Sequence, residues 1–217
     1  GGTNFGFAGG RYAGRENGGL ATTSAAAHPP LGEAGLRSAQ YMALKRICTF
    51  AKNFGHVFAD LDPDYQPVTL DPIPIDPDAP KGGRGGKSKG HGLSIVPLRG
   101  AGGRAIFVFS DGKTRDATLL LDDGIRLPVH LGDQPVGWYV IDADLHGAGR
   151  LDYANLCPYA VIDRSIVVLH GPARTEALLS VNGQPLAATV PGGAKPLVIE
   201  HQGLTIVICN QAQIDGT

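Results

Sequence analysis

The stretch LSIVPLRGAGGRAIFVFSDGKTRDATLLLDDGIRLPVHL, residues 93–131, holds four short apolar runs separated by turn-forming residues. Each run is too short for a stable helix and carries no 3.6-residue period, so each reads as a strand. Asp111-Gly112 and Asp123-Gly124 stand between runs, where a hairpin needs residues that tolerate positive φ. The pattern continues outward through VGWYVIDA, YAVID, SIVVLHG, EALLSV, PLAATV, PLVIEH and LTIVICN, with Asn182-Gly183, Gly192-Gly193 and Gln202-Gly203 as further turns. Strands at this spacing predict an antiparallel β-sandwich or jelly-roll-like domain over residues 93–217.

Composition agrees with a mainly β protein containing one long helix. Of 217 residues, 42% are hydrophobic and only 18% charged, while 32 Gly and 16 Pro imply many turns and short elements. A formal net charge of -1 gives no global electrostatic case for nucleic acid or a membrane surface. No apolar run approaches the roughly 18 residues that span a bilayer as a helix. Cys48, Cys157 and Cys209 form no C-x-x-C pair, so they read as three buried thiols acting as small apolar residues.

Upstream of residue 93 the character changes twice. Residues 60–92 place six Pro among acidic residues and then turn Gly-rich and basic, which predicts an extended, solvated linker. Lys81, Arg84, Lys87 and Lys89 lack the strand and helix that a phosphate loop requires. Over residues 33–58, Leu36, Ala39, Ala43, Ile47, Phe50 and Phe54 recur at helical spacing, with Arg37, Lys45, Arg46 and Lys52 off the stripe. An amphipathic helix is expected there, after an irregular Gly-rich loop.

The candidates for chemistry are scattered. His130, His146, His170 and His201 have no ligand spacing, so no metal is expected, and no cofactor motif is present. Ser24, Ser110 and Ser165 lack the context of a nucleophile elbow. Asp122-Asp123 and Asp142-x-Asp144 read as turn residues rather than a calcium loop. Trp138 and Tyr139 are adjacent, so under strand alternation one of them should point inward and at most one is free to stack on a sugar.

The opening GGTNFGF, residues 1–7, carries more information in combination with three later segments. Thr22 to Ser24, Pro30 to Gly35, and the run QYMALKRI at residues 40–47 come after it in that order. This set resembles glycoside hydrolase family 35, the β-galactosidases, in which an HGGTNFG-type segment closes the last strand of the catalytic barrel. In that family a loop then leads to TSYDYDAPLxEAG and a helix of the form KYxALRxxI. The resemblance covers about the first quarter of the chain, and it implies a retaining hydrolase acting on terminal β-galactosides in carbohydrate metabolism.

The resemblance also implies an organisation. Residues 1–59 would be the C-terminal end of a (β/α)8 barrel, joined by the linker 60–92 to an accessory β-sandwich at residues 93–217. Asn4 and Phe7 would lie on the substrate-binding face, because barrel enzymes work at the C-terminal ends of their strands. The family's YDYDAP is replaced by AAAHPP at residues 25–30, so two pocket tyrosines correspond to Ala25 and Ala27. Phe7 keeps a ring without a hydroxyl where some relatives carry a pocket Tyr.

Retaining glycosidases need two carboxyls about 5–5.5 Å apart. In this family both are Glu on barrel strands upstream of GGTNFG, so no catalytic residue is expected in this chain. Its four Glu are Glu16, Glu33, Glu176 and Glu200. The expectation is therefore a β-galactosidase-like parent whose β-galactoside or related oligosaccharide is bound through the full-length protein. With an N-terminus expected upstream of Gly1, no leader is readable, and an extracellular or periplasmic location would suit the family. A non-catalytic carbohydrate-binding module and a purely structural domain stay open as alternatives.

Overall fold

The computed structural model describes residues 39–59, 61–64, 68–72, 92–110 and 115–216. The chain divides into two compact units, residues 1–52 and residues 53–217.

In the first unit the described part is helix α1, Ala39–Asn53, whose last residue belongs to the second unit. The expected single helix is broken. Phe54 leaves helical geometry (φ -112°, ψ 18°), and a one-turn helix α2, Gly55–Phe58, comes next. The expected apolar stripe is also displaced. Phe50 is fully buried, but Ala43 is exposed, and Arg46, expected off the stripe, is 8% exposed. Residues 33–38 lie outside the described residues.

The second unit is mainly β. A seven-stranded sheet runs β1-β3-β4-β7-β8-β11-β12 in spatial order. It uses β1 (Asp62–Pro63), β3 (Leu93–Gly100), β4 (Gly103–Ser110), β7 (Val136–Asp144), β8 (Arg150–Ala154), β11 (Glu176–Val181) and β12 (Gln184–Thr189). A four-stranded sheet runs β13-β14-β10-β9, built from β9 (Cys157–Ile162), β10 (Ile166–Gly171), β13 (Leu197–His201) and β14 (Leu204–Asn210). A three-stranded sheet joins β2 (Thr69–Pro72), β5 (Asp116–Leu120) and β6 (Arg126–His130). Helix α3, Gln211–Asp215, continues directly from β14 and is capped by Asn210, whose side chain accepts from Gln213 N while Gln213 reaches back to Asn210 N.

All eleven expected strands form, and the predicted β architecture of antiparallel sheets is present. One pair departs from it: β10 and β14 run parallel, from Ile166↔Thr205 to Gly171↔Asn210. The reason is a crossover. After β10 the chain leaves for the large sheet, forms the β11–β12 hairpin there, and returns through β13, so β14 reaches β10 in the same direction.

The Pro-rich stretch is not wholly a solvated linker. Asp62 and Pro63 pair with Arg99 and Leu98, and residues 69–72 pair with β5 from Thr69↔Leu120 to Pro72↔Ala117. Proline is tolerated because both segments are edge strands, where one row of backbone groups needs no partner. Pro density is as high in these edge strands as around them, which is why composition alone suggests a linker. Phe54, Val57 and Val68 are also buried within this unit, so its fold draws on residues well upstream of Leu93.

The core centres on β7. Its run Gly137–Ile141 is buried at every position, the signature of a strand covered on both faces. The layers are tied by side chains: Trp138 Nε1 donates to Pro158 O at 2.9 Å on the four-stranded sheet. Asn155 Nδ2 donates to Pro128 O of the three-stranded sheet and to Glu176 O, both at 2.9 Å, while its Oδ1 accepts from Leu178 N at 2.7 Å. Asn155 is nearly fully buried, and these three bonds offset its desolvation. A second apolar cluster, Ala160, Val168, Cys209 and Ile214, joins the four-stranded sheet to α3.

Glycine is required at Gly102, in the β3–β4 turn. A Cβ there would stand 2.5 Å from the carbonyl oxygen of His56 and 3.1 Å from Val57 Cα. Backbone cannot move aside as a flexible side chain can, so only Gly lets this turn pack against residues 56 and 57.

Candidate functional site

Asn4, Phe7 and the substituted loop at residues 25–30 lie outside the described residues, as do Ser24, Asp111-Gly112 and the basic cluster at residues 81–89. The remaining candidates can each be placed.

Of the four histidines, His130 and His170 line one narrow pocket, and His146 and His201 are elsewhere. His130 Nδ1 lies 2.7 Å from Asp116 Oδ1 across the β5–β6 pair. His201 Nε2 donates to Gln184 O at 3.1 Å. His170 is fully buried, its ring edge-on to Trp138 at 5.6 Å and to Tyr159 at 6.2 Å. Among the described residues no three metal-binding side chains converge.

The acidic candidates serve turns and ion pairs. Asp123 Oδ1 accepts from Ile125 N, and Asp144 Oδ1 from Gly147 N. Asp142 lies 3.8 Å from Arg150, and Asp122 accepts from Arg104 at 2.8 Å. Glu176 and Glu200 are exposed on β11 and β13, in different sheets. Glu200 accepts from Thr205 Oγ1 at 2.8 Å. Neither has the enclosed partner carboxyl that glycoside hydrolysis requires.

Cys157 and Cys209 are buried, and burial pushes the Cys209 thiol up. Cys48 is exposed, contrary to the expectation of three buried thiols. It adjoins Ile47 on a helix whose buried side is shifted toward Arg46 and Phe50.

Trp138 and Tyr139 are both interior, at 4% and 1% exposure, so neither is available to stack on a sugar. Alternation sends them to opposite faces, but here both faces of β7 are covered. The pocket under Tyr139 is lined by Leu131, Gly137, Cys157 and His170 and leaves no room for a water molecule. A Cβ on Gly137 would stand 2.7 Å from the Tyr139 hydroxyl, so the glycine makes the space that the phenol occupies. That hydroxyl is buried and makes no hydrogen bond. Desolvation, with smaller contributions from Cys157 and Asp116, holds it well above the usual phenol range. Tyr139→Phe is therefore expected to leave stability unchanged or raise it by about 1 kcal/mol, because only an unsatisfied polar atom is lost. Thermal unfolding measures this, and a lowered midpoint would contradict it.

A groove of about 320 Å³ lies between β6, β8, β11 and β12, lined by Arg126, Leu127, Tyr153, Leu178, Pro185 and Leu186. It combines an aromatic face, a cation and aliphatic walls. The sequence pattern gives no sign of it because β8 is not expected as a strand, so Tyr153 has no assigned neighbours. Asp152, on the same strand, is equally hidden in the sequence, and it binds Ser180, Gly183 and Arg150.

No family model matches the chain, and no curated protein matches it. No described helix is long and apolar enough to cross a membrane.

Proposed function

We propose that this chain belongs to a β-galactosidase-like retaining glycoside hydrolase. In this reading the end of its catalytic barrel lies within residues 1–52, with Asn4 and Phe7 facing the sugar, and the mainly β unit at residues 53–217 is an accessory domain. The observation that carries the reading is the ordered set GGTNFGF, TTS, PLGEAG and QYMALKRI within the first 47 residues. The layered antiparallel architecture downstream is in keeping with it. The reading assigns both catalytic carboxyls to barrel strands upstream of GGTNFGF, and the exposed, separated Glu176 and Glu200 supply no substitute.

The groove beside Tyr153 favours a second reading, a carbohydrate-binding module of a glycosidase that has lost catalysis. One experiment separates the two. The 217-residue chain and the product of the full open reading frame are assayed on an aryl β-galactoside and titrated with galactose. Turnover by the full product alone, abolished by Glu→Gln at the two upstream strand ends, is the expected result. Turnover by the 217-residue chain would overturn it. Galactose binding without turnover by either protein would favour the second reading.

A further inference from the structure

Two histidines far apart in sequence meet at the β7–β8 turn. His56 on α2 donates from Nε2 to Asp144 O at 2.6 Å, and His146 in the turn donates from Nε2 to Asn53 O at 2.6 Å. A backbone carbonyl can only accept, so both Nε2 atoms carry hydrogen and the neutral form of each ring leaves Nδ1 bare. The rings lie 4.3 Å apart, centroid to centroid, at 51°. The two bonds are reciprocal: each segment supplies one ring and one carbonyl.

The two Nδ1 atoms differ in their surroundings. His146 is exposed, so its Nδ1 can take a proton within reach of solvent. His56 Nδ1 is buried with no hydrogen-bond partner. A proton there would be an unsolvated charge with no acceptor, set against a second imidazolium. The acidic group on the turn is Asp144, whose carboxylate accepts from Gly147 N. Asp142 and Arg150, at the strand ends beyond it, face each other at 3.8 Å. The β3–β4 turn, packed against residues 56 and 57, presents only Gly100, Ala101, Gly102 and Gly103. From β9 the contact is backbone, Val161 N donating to Asn53 Oδ1 at 3.2 Å. Among the described residues neither ring is paired with a carboxylate, so a second positive charge finds no counterion there.

We propose that His56 and His146 form an acid-sensitive clasp that holds residues 53–58 to the β7–β8 turn. Closed, it accepts one proton; the second opens it, and Asn53 then releases Val161 N. The clasp stands independently of the glycosidase reading.

Amide exchange of Val161 in the 217-residue chain tests it, with rates corrected for the intrinsic effect of pH. His146→Gln keeps an N–H donor for Asn53 O but cannot be protonated. At pH 7.5 wild type and variant should exchange alike, and at pH 5.0 the wild type should exchange at least tenfold faster. Equal rates at pH 5.0 would overturn the clasp. Should the variant fail to fold, the wild-type ring signals decide: two well-separated protonation steps support the pair, and two identical independent steps overturn it.

Discussion

Arg104→Met is expected to lower the unfolding free energy by about 3–5 kcal/mol, the cost of stranding one partner of a buried ion pair. Arg104 is 4% exposed; its Nε donates to Asp64 Oδ2 at 2.7 Å and its Nη1 to Asp122 Oδ1 at 2.8 Å. Burial works against the guanidinium charge, yet the bonds to Asp122 and Asp64 outweigh it and hold Arg104 above its ordinary value. Asp122 is lowered in turn, chiefly by its bond from Arg104. Met would fill much of the volume and take the guanidinium away from the Asp64 carboxylate, which is 2% exposed and also lies 3.4 Å from Arg99.

The pair matters to the fold because Asp64 anchors the segment after β1, where Asp64 N also donates to Pro97 O at 3.0 Å. The double replacement Arg104→Met with Asp64→Leu should recover most of the loss, since no charge then stays buried. Urea unfolding of both variants measures this. A loss under about 1 kcal/mol in the single variant, the range of an exposed pair, would show that Asp64 is not held in the interior.

Asp152→Ala is expected to cost about 3 kcal/mol, since hydrogen bonds to a charged group contribute about 1.5–3 kcal/mol. Asp152 Oδ2 accepts from Ser180 Oγ at 2.7 Å and from Gly183 N at 2.6 Å, and its Oδ1 accepts from Arg150 Nε at 2.9 Å. These bonds stitch β8 to β11 and to the Asn182-Gly183 turn, and Ser180 is 4% exposed. Burial raises the Asp152 carboxyl, but the bonds from Ser180, Gly183 and Arg150 bring it below its ordinary value.

That lowering sets the direction of the pH effect. A carboxyl lowered in the folded state contributes its stability above the unfolded value, near pH 3.9, and loses it as pH falls through the folded one. The gap between wild type and Asp152→Ala should therefore be full at pH 6 and shrink below about pH 4. Urea midpoints at pH 6 and pH 3 check this, and a gap that widens in acid would refute the assignment.

Much of the β unit was determined by the sequence alone. Runs such as RAIFVFS and LTIVICN are short, apolar and bounded by turn residues, and those local properties are enough to make strands. Asn182-Gly183 and Gln202-Gly203 take positive φ at both positions, as a two-residue hairpin demands. The turn at Asp163-Arg164 does the same with no glycine, at φ 48° and 53°, and was illegible for that reason. RLDYA was illegible as β8 because its polar residues satisfy partners that only the folded sheet supplies: Asp152 on Ser180, Tyr153 beside the groove.

What only the tertiary structure decided is which segments meet. Local pattern cannot say that β14 lies parallel to β10, because that depends on where the intervening hairpin goes. It cannot distinguish a Pro-rich linker from an edge strand, since both are extended chain and only the neighbouring strand differs. Nor can it pair His56 with His146, or Asp64 with Arg104, across 90 and 40 residues. Strand formation is set by neighbours in sequence, whereas burial of a charge or a ring is set by neighbours in space.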